Sequence, residues 1–290
     1  MRPWLRLSII IACLFSVFTL PRFFSYKRKN VVVVGAKNNP ESQLLGEMMA
    51  LLIERHTPYQ VQRSFALDGT YIAFHALFSD SIDLYVDYLG TIQMTILDEP
   101  TSFNQSTRKT EEALKKRYGI TIPFSWGFSN SYVLITRNDF SADFIEDLEG
   151  KTARYGFDPE FLARQEYRLL QKRYALSLEG LQMMDPSLLY IALYHRSVDV
   201  ISGSYTDGNI LRYQGKVLLE KNTVFPNYEA VTLSKAQFLR THPQIKKTLQ
   251  GLQDILNIDK IRLLNEQVAK GKPLQEVAKD FLKSSQLWEK

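Results

Sequence analysis

The residues with the greatest chemical potential in this chain are its tyrosines, fifteen of them against three tryptophans. Four stand where strand-like runs end or helical runs begin. Tyr88 closes the run that starts at Ile82, Tyr132 follows Phe128 to Ser131, Tyr190 lies in the first helical turn after Asp185 and Pro186, and Tyr228 follows Pro226 and Asn227. Such junctions collect at one edge of an α/β sheet, where ligands sit. Electron-rich ring faces attract an alkylated ammonium by about 0.5–2 kcal/mol per good contact, and several rings together make an aromatic cage. Tyrosine is also an ordinary packing residue with its ring buried and its hydroxyl wet, so each position alone supports either reading. Tyr85 is the weaker candidate: three residues before Tyr88 in a strand, it points to the opposite face.

Other groups complete a candidate constellation. The pairs Gly69-Thr70 and Gly90-Thr91 open helical runs, where free N–H groups and the helix dipole favour a carboxylate. Lys37, just after the first strand, adds a cation or is an ordinary salt-bridged lysine. Asp207, at the end of another strand, either faces a bound cation or caps the next helix. Nothing suggests an enzyme. The four histidines, His56, His75, His195 and His242, show no metal-binding pair, the single cysteine excludes an intrachain disulfide, and there is no nucleophile elbow or phosphate-binding loop. No metal or cofactor is expected.

These residues are carried by a repeating unit of strand, turn and helix, which predicts an α/β fold. Strands are expected at Val31 to Val34, Ile82 to Tyr88, Tyr132 to Thr136, Thr152 to Phe157, Leu181 to Met184, Val198 to Ser202, Val217 to Leu219 and Ala230 to Leu233. Helices open after Pro40, at Thr70, at Thr91, after Pro159 and from Ser187. The run from Arg108 to Arg117 alternates its charges like a solvated helix face. From about residue 234 the chain reads as three or so helices, a tail expected to return and cover the first lobe. The domains predicted are a leader over 1–30, lobe I over 31–125 plus 229–290, and lobe II over 126–228.

The net charge of +5 would ordinarily raise nucleic acid as a partner, but residues 1–30 hold six basic side chains and no acid, leaving the rest at −1. No nucleic acid is expected. That basic leader surrounds an apolar run from Leu7 to Leu20, the pattern of an export signal or, with Arg22 snorkelling, of an uncleaved anchor. Cys13 only loosely resembles a lipidation site, because the apolar run continues past it.

The ordered segments Gly35 to Glu41, Ile82 to Thr91, Phe128 to Tyr132, Asp158 to Phe161 with Arg164, Met184-Asp185, Tyr190 to Leu193, Val198 to Val200, Thr206 to Gly208 and Phe225 to Tyr228 resemble the glycine betaine/carnitine/choline-binding proteins of osmoprotectant importers. The resemblance runs over about residues 31 to 284. It implies a two-lobed type II periplasmic-binding fold with the ligand cleft between the lobes, and a tyrosine cage at Tyr88, Tyr132, Tyr190 and Tyr228. It further implies export to the periplasm or the outer face of the membrane, a small cationic or zwitterionic ligand, an ABC permease as partner and a monomer. The chain departs from the family at Ser42, where a long amide is usual, at Leu89, where a hydroxyl is lost, and at Tyr71, where a small polar residue is usual. These changes favour choline or a bulkier amine over a simple betaine. The alternative is an anchored sensor or accessory domain of the same fold, or a binder of a different small amine.

Overall fold

Four valines in succession form a strand because it is buried on both faces. In β1 (Val31–Lys37), Val32 and Val34 enter one apolar cluster and Val33 the other, as a central strand between two helical layers requires. The structure is a computed structural model, which describes residues 30–99, 106–221, 225 and 228–289. The leader and Cys13 lie outside the described residues. Among those residues no helix is long and apolar enough to cross a membrane.

After β1 come helix α1 (Pro40–His56), strand β2 (Gln60–Leu67), α2 (Thr70–Phe78), β3 (Leu84–Tyr88) and the single turn α3 (Leu89–Thr91), which runs on into a π-helical stretch, Ile92–Ile96. Then follow α4 (Thr107–Tyr118), β4 (Ile120–Thr121) and β5 (Ser125–Ser129). Helix α1 begins where the sequence demands it: the Asn39 side chain accepts from the Ser42 N–H at 2.9 Å, and Pro40 supplies the first helical position without wasting a donor.

The next stretch comprises β6 (Tyr132–Arg137), β7 (Tyr155–Phe157), α5 (Pro159–Ala163), α6 (Gln165–Arg173), β8 (Gln182–Met183), α7 (Pro186–Tyr194), β9 (Val200–Ser204), α8 (Asn209–Arg212) and β10 (Gly215–Val217). The chain ends with β11 (Glu229–Lys235), α9 (Ala236–Thr241), α10 (Pro243–Leu249), α11 (Ile258–Ala269) and α12 (Leu274–Ser284).

Two mixed sheets result. The first runs β2-β1-β3-β11-β4, with β5 also on β11; β1 and β3 are parallel, whereas β11 returns antiparallel to β3 with Ala230 opposite Tyr88. The second runs β10-β6-β9-β7-β8, with Tyr132 opposite Ser204 where β6 and β9 meet. Its strands also alternate, Leu134 and Val200 facing one cluster, Val133 and Ile201 the other. Strands β2, β4 and β5 were not anticipated. The tail does cover the first sheet, α10 and α12 packing on α1, but α11 also reaches the second. Its backbone lies so close to Gly208 that a Cβ there would stand 2.3 Å from the Glu266 nitrogen. Ile261 and Leu264 on the same helix belong to the core of the first sheet.

Candidate ligand-binding site

The carboxyl ends of β1, β2, β3 and β9 border a pocket of about 480 Å³, lined by Lys37, Asp68, Thr70, Tyr88, Thr91, Asn130, Tyr132, Glu160, Arg164, Ser204 and Tyr228 among others. Six residues singled out from the sequence therefore converge: Lys37, Thr70, Tyr88, Thr91, Tyr132 and Tyr228. The remaining four do not line it. Tyr190 stacks on Tyr213 with ring centroids 5.9 Å apart, inside the second sheet's core. Asp207 accepts from the Asn209 N–H at 2.8 Å, the geometry of a helix start, and burial raises its carboxyl above the usual range. Tyr71 projects outward, 67% exposed, and Ser42 is buried in the first turn of α1. Tyr85 faces the opposite side of its sheet from Tyr88, each in a different core cluster.

Each ring is placed by a local device. Tyr88 ends β3 and turns directly into α3. Tyr228 is fixed at the head of β11: its N–H donates to Ser129 Oγ and its carbonyl accepts from the Asn130 N–H, both at 3.0 Å. The ring of Tyr132 lies 5.2 Å from that of Phe161. Phe161 is in turn held by the cap of α5, where Asp158 accepts from its N–H at 2.8 Å. Burial pushes the hydroxyls of Tyr88, Tyr132 and Tyr228 upward, so all three stay neutral phenols at physiological pH; carboxylates add to this, Glu41 beside Tyr88 and Glu166 beside Tyr228.

Cations already lie on two of the rings. Lys37 Nζ stands 5.0 Å from the centroid of Tyr88 and the Arg164 guanidinium 5.0 Å from that of Tyr132, within the reach at which a ring face attracts positive charge. Both cations are paired, Lys37 with the buried Asp87 at 2.7 Å, and Arg164 with Glu160 at 2.5 Å and more loosely with Glu166 at 3.7 Å. Lys37 is thus both salt-bridged and pocket-lining.

Several site residues had been given no role from the sequence. Arg164 occupies an extended residue between two short helices, with φ −81° and ψ 159°, so its side chain leaves the helical stack and enters the pocket. Asn130 and Ser204 form a polar wall, the serine hydroxyl donating to the asparagine side-chain oxygen. Ser204 carries the same signal as Tyr88, a polar residue closing a strand, and could have been found by it. Behind the lining, Glu41 accepts from the Tyr88 hydroxyl and Glu166 from the Tyr228 hydroxyl. Among the described residues, no cluster of His, Cys, Asp or Glu is arranged to hold a metal ion.

A two-sheet α/β chain with a preformed, ring-lined pocket at its strand ends has the build of a solute-binding protein. The chain belongs to the family of substrate-binding domains of ABC-type glycine betaine transport systems, whose model matches residues 30–284. Members of that family are not enzymes; they serve as the extracytoplasmic binding components of ABC importers. The chain is 31% identical over 265 residues to the ergothioneine transport permease/ergothioneine binding protein of Helicobacter pylori, covering 87% of this chain and 47% of that relative. It thus spans about half of that protein's length. A carnitine transport binding protein of Listeria monocytogenes is 26% identical, with 90% of this chain and 89% of the relative covered. Among solved structures, a glycine betaine/carnitine/choline ABC transporter protein superposes with a TM-score of 0.82 at 28% identity, over 89% of this chain and 99% of that one. The fold is the two-lobed type II periplasmic-binding fold.

Proposed function

We propose that this chain captures a trimethylammonium compatible solute, in the class of choline, carnitine and glycine betaine, and delivers it to an ABC permease. The observation that carries the reading is the convergence of Tyr88, Tyr132 and Tyr228 on one pocket in which two rings already attract cations. Acidic side chains support it: Asp68 and Glu160 line the pocket, and Glu41, Asp87 and Glu166 stand behind it. Thr70, Thr91 and Arg164 offer hydrogen bonds or charge to an anionic end. In this reading the two sheets are the cores of the two lobes, and the chain crosses to the second at Asn130-Ser131 and is back in the first at β11. An exported leader, cleaved or retained, would hold the site outside the cytoplasm.

A second reading rests on the polar wall. Asn130 and Ser204 line the pocket along with the rings, and such polar groups suit a trimethylammonium amino acid that carries its own hydrogen-bonding ring. Ergothioneine, named for the Helicobacter pylori relative, is such a molecule. The test of both is a thermal-shift screen of residues 31–290 against choline, glycine betaine, carnitine, ergothioneine, common amino acids and polyamines. A ligand at 100 times its dissociation constant adds about 2.7 kcal/mol of stability. Stabilisation by choline, carnitine or betaine supports the first reading, and by ergothioneine alone the second. A response confined to amino acids or polyamines, or none at all, rejects both.

A further inference from the structure

We propose that Glu41 is a specificity-determining residue, a buried carboxylate whose missing counter-ion is the bound ligand's positive charge. Glu41 is 7% exposed, in the first turn of α1, one hydrogen bond behind the ring of Tyr88. Its partners come from four parts of the chain and are all uncharged. The Tyr88 hydroxyl and Asn130 Nδ2 donate to one oxygen, the amide at 3.0 Å, and Asn265 Nδ2 donates to the other at 2.7 Å; Thr206 adds a side-chain hydrogen bond. Amide N–H groups on both oxygens suit an ionised carboxylate, which only accepts.

The arrangement is costly on its own. A buried carboxylate is ordinarily matched by a cation, yet the nearby Lys37 is committed to Asp87 at 2.7 Å. Burial accordingly raises the Glu41 carboxyl, opposed only by these neutral donors. Two of the donors, Tyr88 and Asn130, line the pocket, so a cation held there faces the carboxylate through one layer of side chain. A phenol that donates to a carboxylate is polarised by it, which makes the Tyr88 ring a better seat for positive charge. The geometry thus makes Glu41 a selector of charge rather than of shape.

This inference rests on the trimethylammonium reading, and the experiment separates the two. Binding of choline or, failing that, carnitine, glycine betaine or ergothioneine in turn to the full chain is compared by calorimetry with binding of the uncharged tert-butyl isostere of the same ligand, for wild type and Glu41→Gln. Gln keeps the shape and an acceptor for Tyr88 but removes the charge. The expected result is a loss of about tenfold in affinity for the cation with little change for the isostere, so that the preference for charge collapses. An unchanged ratio of the two affinities overturns the role of Glu41 and leaves the functional reading standing. If Glu41→Gln fails to fold, Tyr88→Phe cuts the same hydrogen bond from the ring side; a smaller fall in the ratio is expected, and an unchanged ratio overturns the proposal. A wild type that binds none of choline, carnitine, glycine betaine and ergothioneine overturns the trimethylammonium reading and this inference with it.

Discussion

Gly90 lies against the face of Tyr228: a Cβ built on the glycine would stand 2.7 Å from Cε1 and 2.9 Å from Cδ1 of that ring. No methyl group fits there unless the ring moves, and the ring is tethered at its hydroxyl to Glu166. Gly90→Ala should therefore displace Tyr228 and weaken ligand binding by about tenfold or more, as overpacking typically costs about 1–3 kcal/mol. Isothermal titration against the best ligand checks it. Wild-type affinity in a folded variant would show that Tyr228 is not part of the site.

The rings and the hydroxyls make separable contributions. Tyr88→Ala and Tyr228→Ala remove a ring face and are expected to weaken binding of a trimethylammonium ligand by about 0.5–2 kcal/mol each, more than the matching Phe replacements do. Equal losses for Ala and Phe in a competition assay would assign the attraction to the hydroxyls.

Arg164 provides a test of the ligand's other end. As a pocket-lining guanidinium it can meet a carboxylate, whereas choline offers none. Arg164→Ala should lower affinity for carnitine or glycine betaine more than for choline, by about 1.5–3 kcal/mol if a charged hydrogen bond is lost. Equal effects on all three would assign the arginine to supporting Tyr132 instead.

One prediction concerns stability and pH. The Asp199 carboxyl is held down to about 2, chiefly by hydrogen bonds from the Arg154 guanidinium at 2.9 Å, with Arg137 adding to the hold. Because its folded value lies below its unfolded one, the unfolded chain takes up the proton first. The contribution is complete above about pH 4 and is lost as pH falls toward about pH 2. Arg154 is half exposed, so screening limits the gain to about 1–2 kcal/mol. Asp199→Asn should lower the Tm at neutral pH, and the gap to wild type should close on acidification from about pH 5 to about pH 2. A gap that stays constant would contradict the assignment.

Much of the first sheet could be read from the valines of β1 and the run ending at Tyr88, because central strands need unbroken apolar side chains. Strand β2 escaped notice because it is the edge strand of its sheet. Gln60, Gln62, Arg63 and Ser64 leave no apolar run, and residues along it alternate toward exposure. Of the residues that line the candidate pocket, Lys37, Tyr88, Tyr132 and Tyr228 could be picked out by their junctions in the sequence. Tyr190 shared the signal but not the place. It sits five residues past its cap Asp185, so more than one helical turn carries it away from the strand ends and into contact with Tyr213. Ser204 at the end of β9 stands at the pocket instead. Glu41 lay within a segment that carries the family resemblance, yet nothing local distinguished it from an ordinary acidic residue in a helix's first turn. Its meaning depends on Asn130 and Asn265, which are distant in sequence.

The bond from the Asn130 N–H to the Tyr228 carbonyl fastens the residue after β5 to the residue before β11. In the two-lobed reading proposed above, such a fastening would resist sliding and spreading, while a modest change of backbone torsion would still let the lobes swing like the leaves of a book. In that reading Tyr228 would sit at the spine, with Lys37 in one lobe and Arg164 in the other. Opening would then draw Lys37 and Arg164 apart and strain the Tyr228 bond to Glu166, so that shutting on a solute would bring the two cations and that bond back together around it.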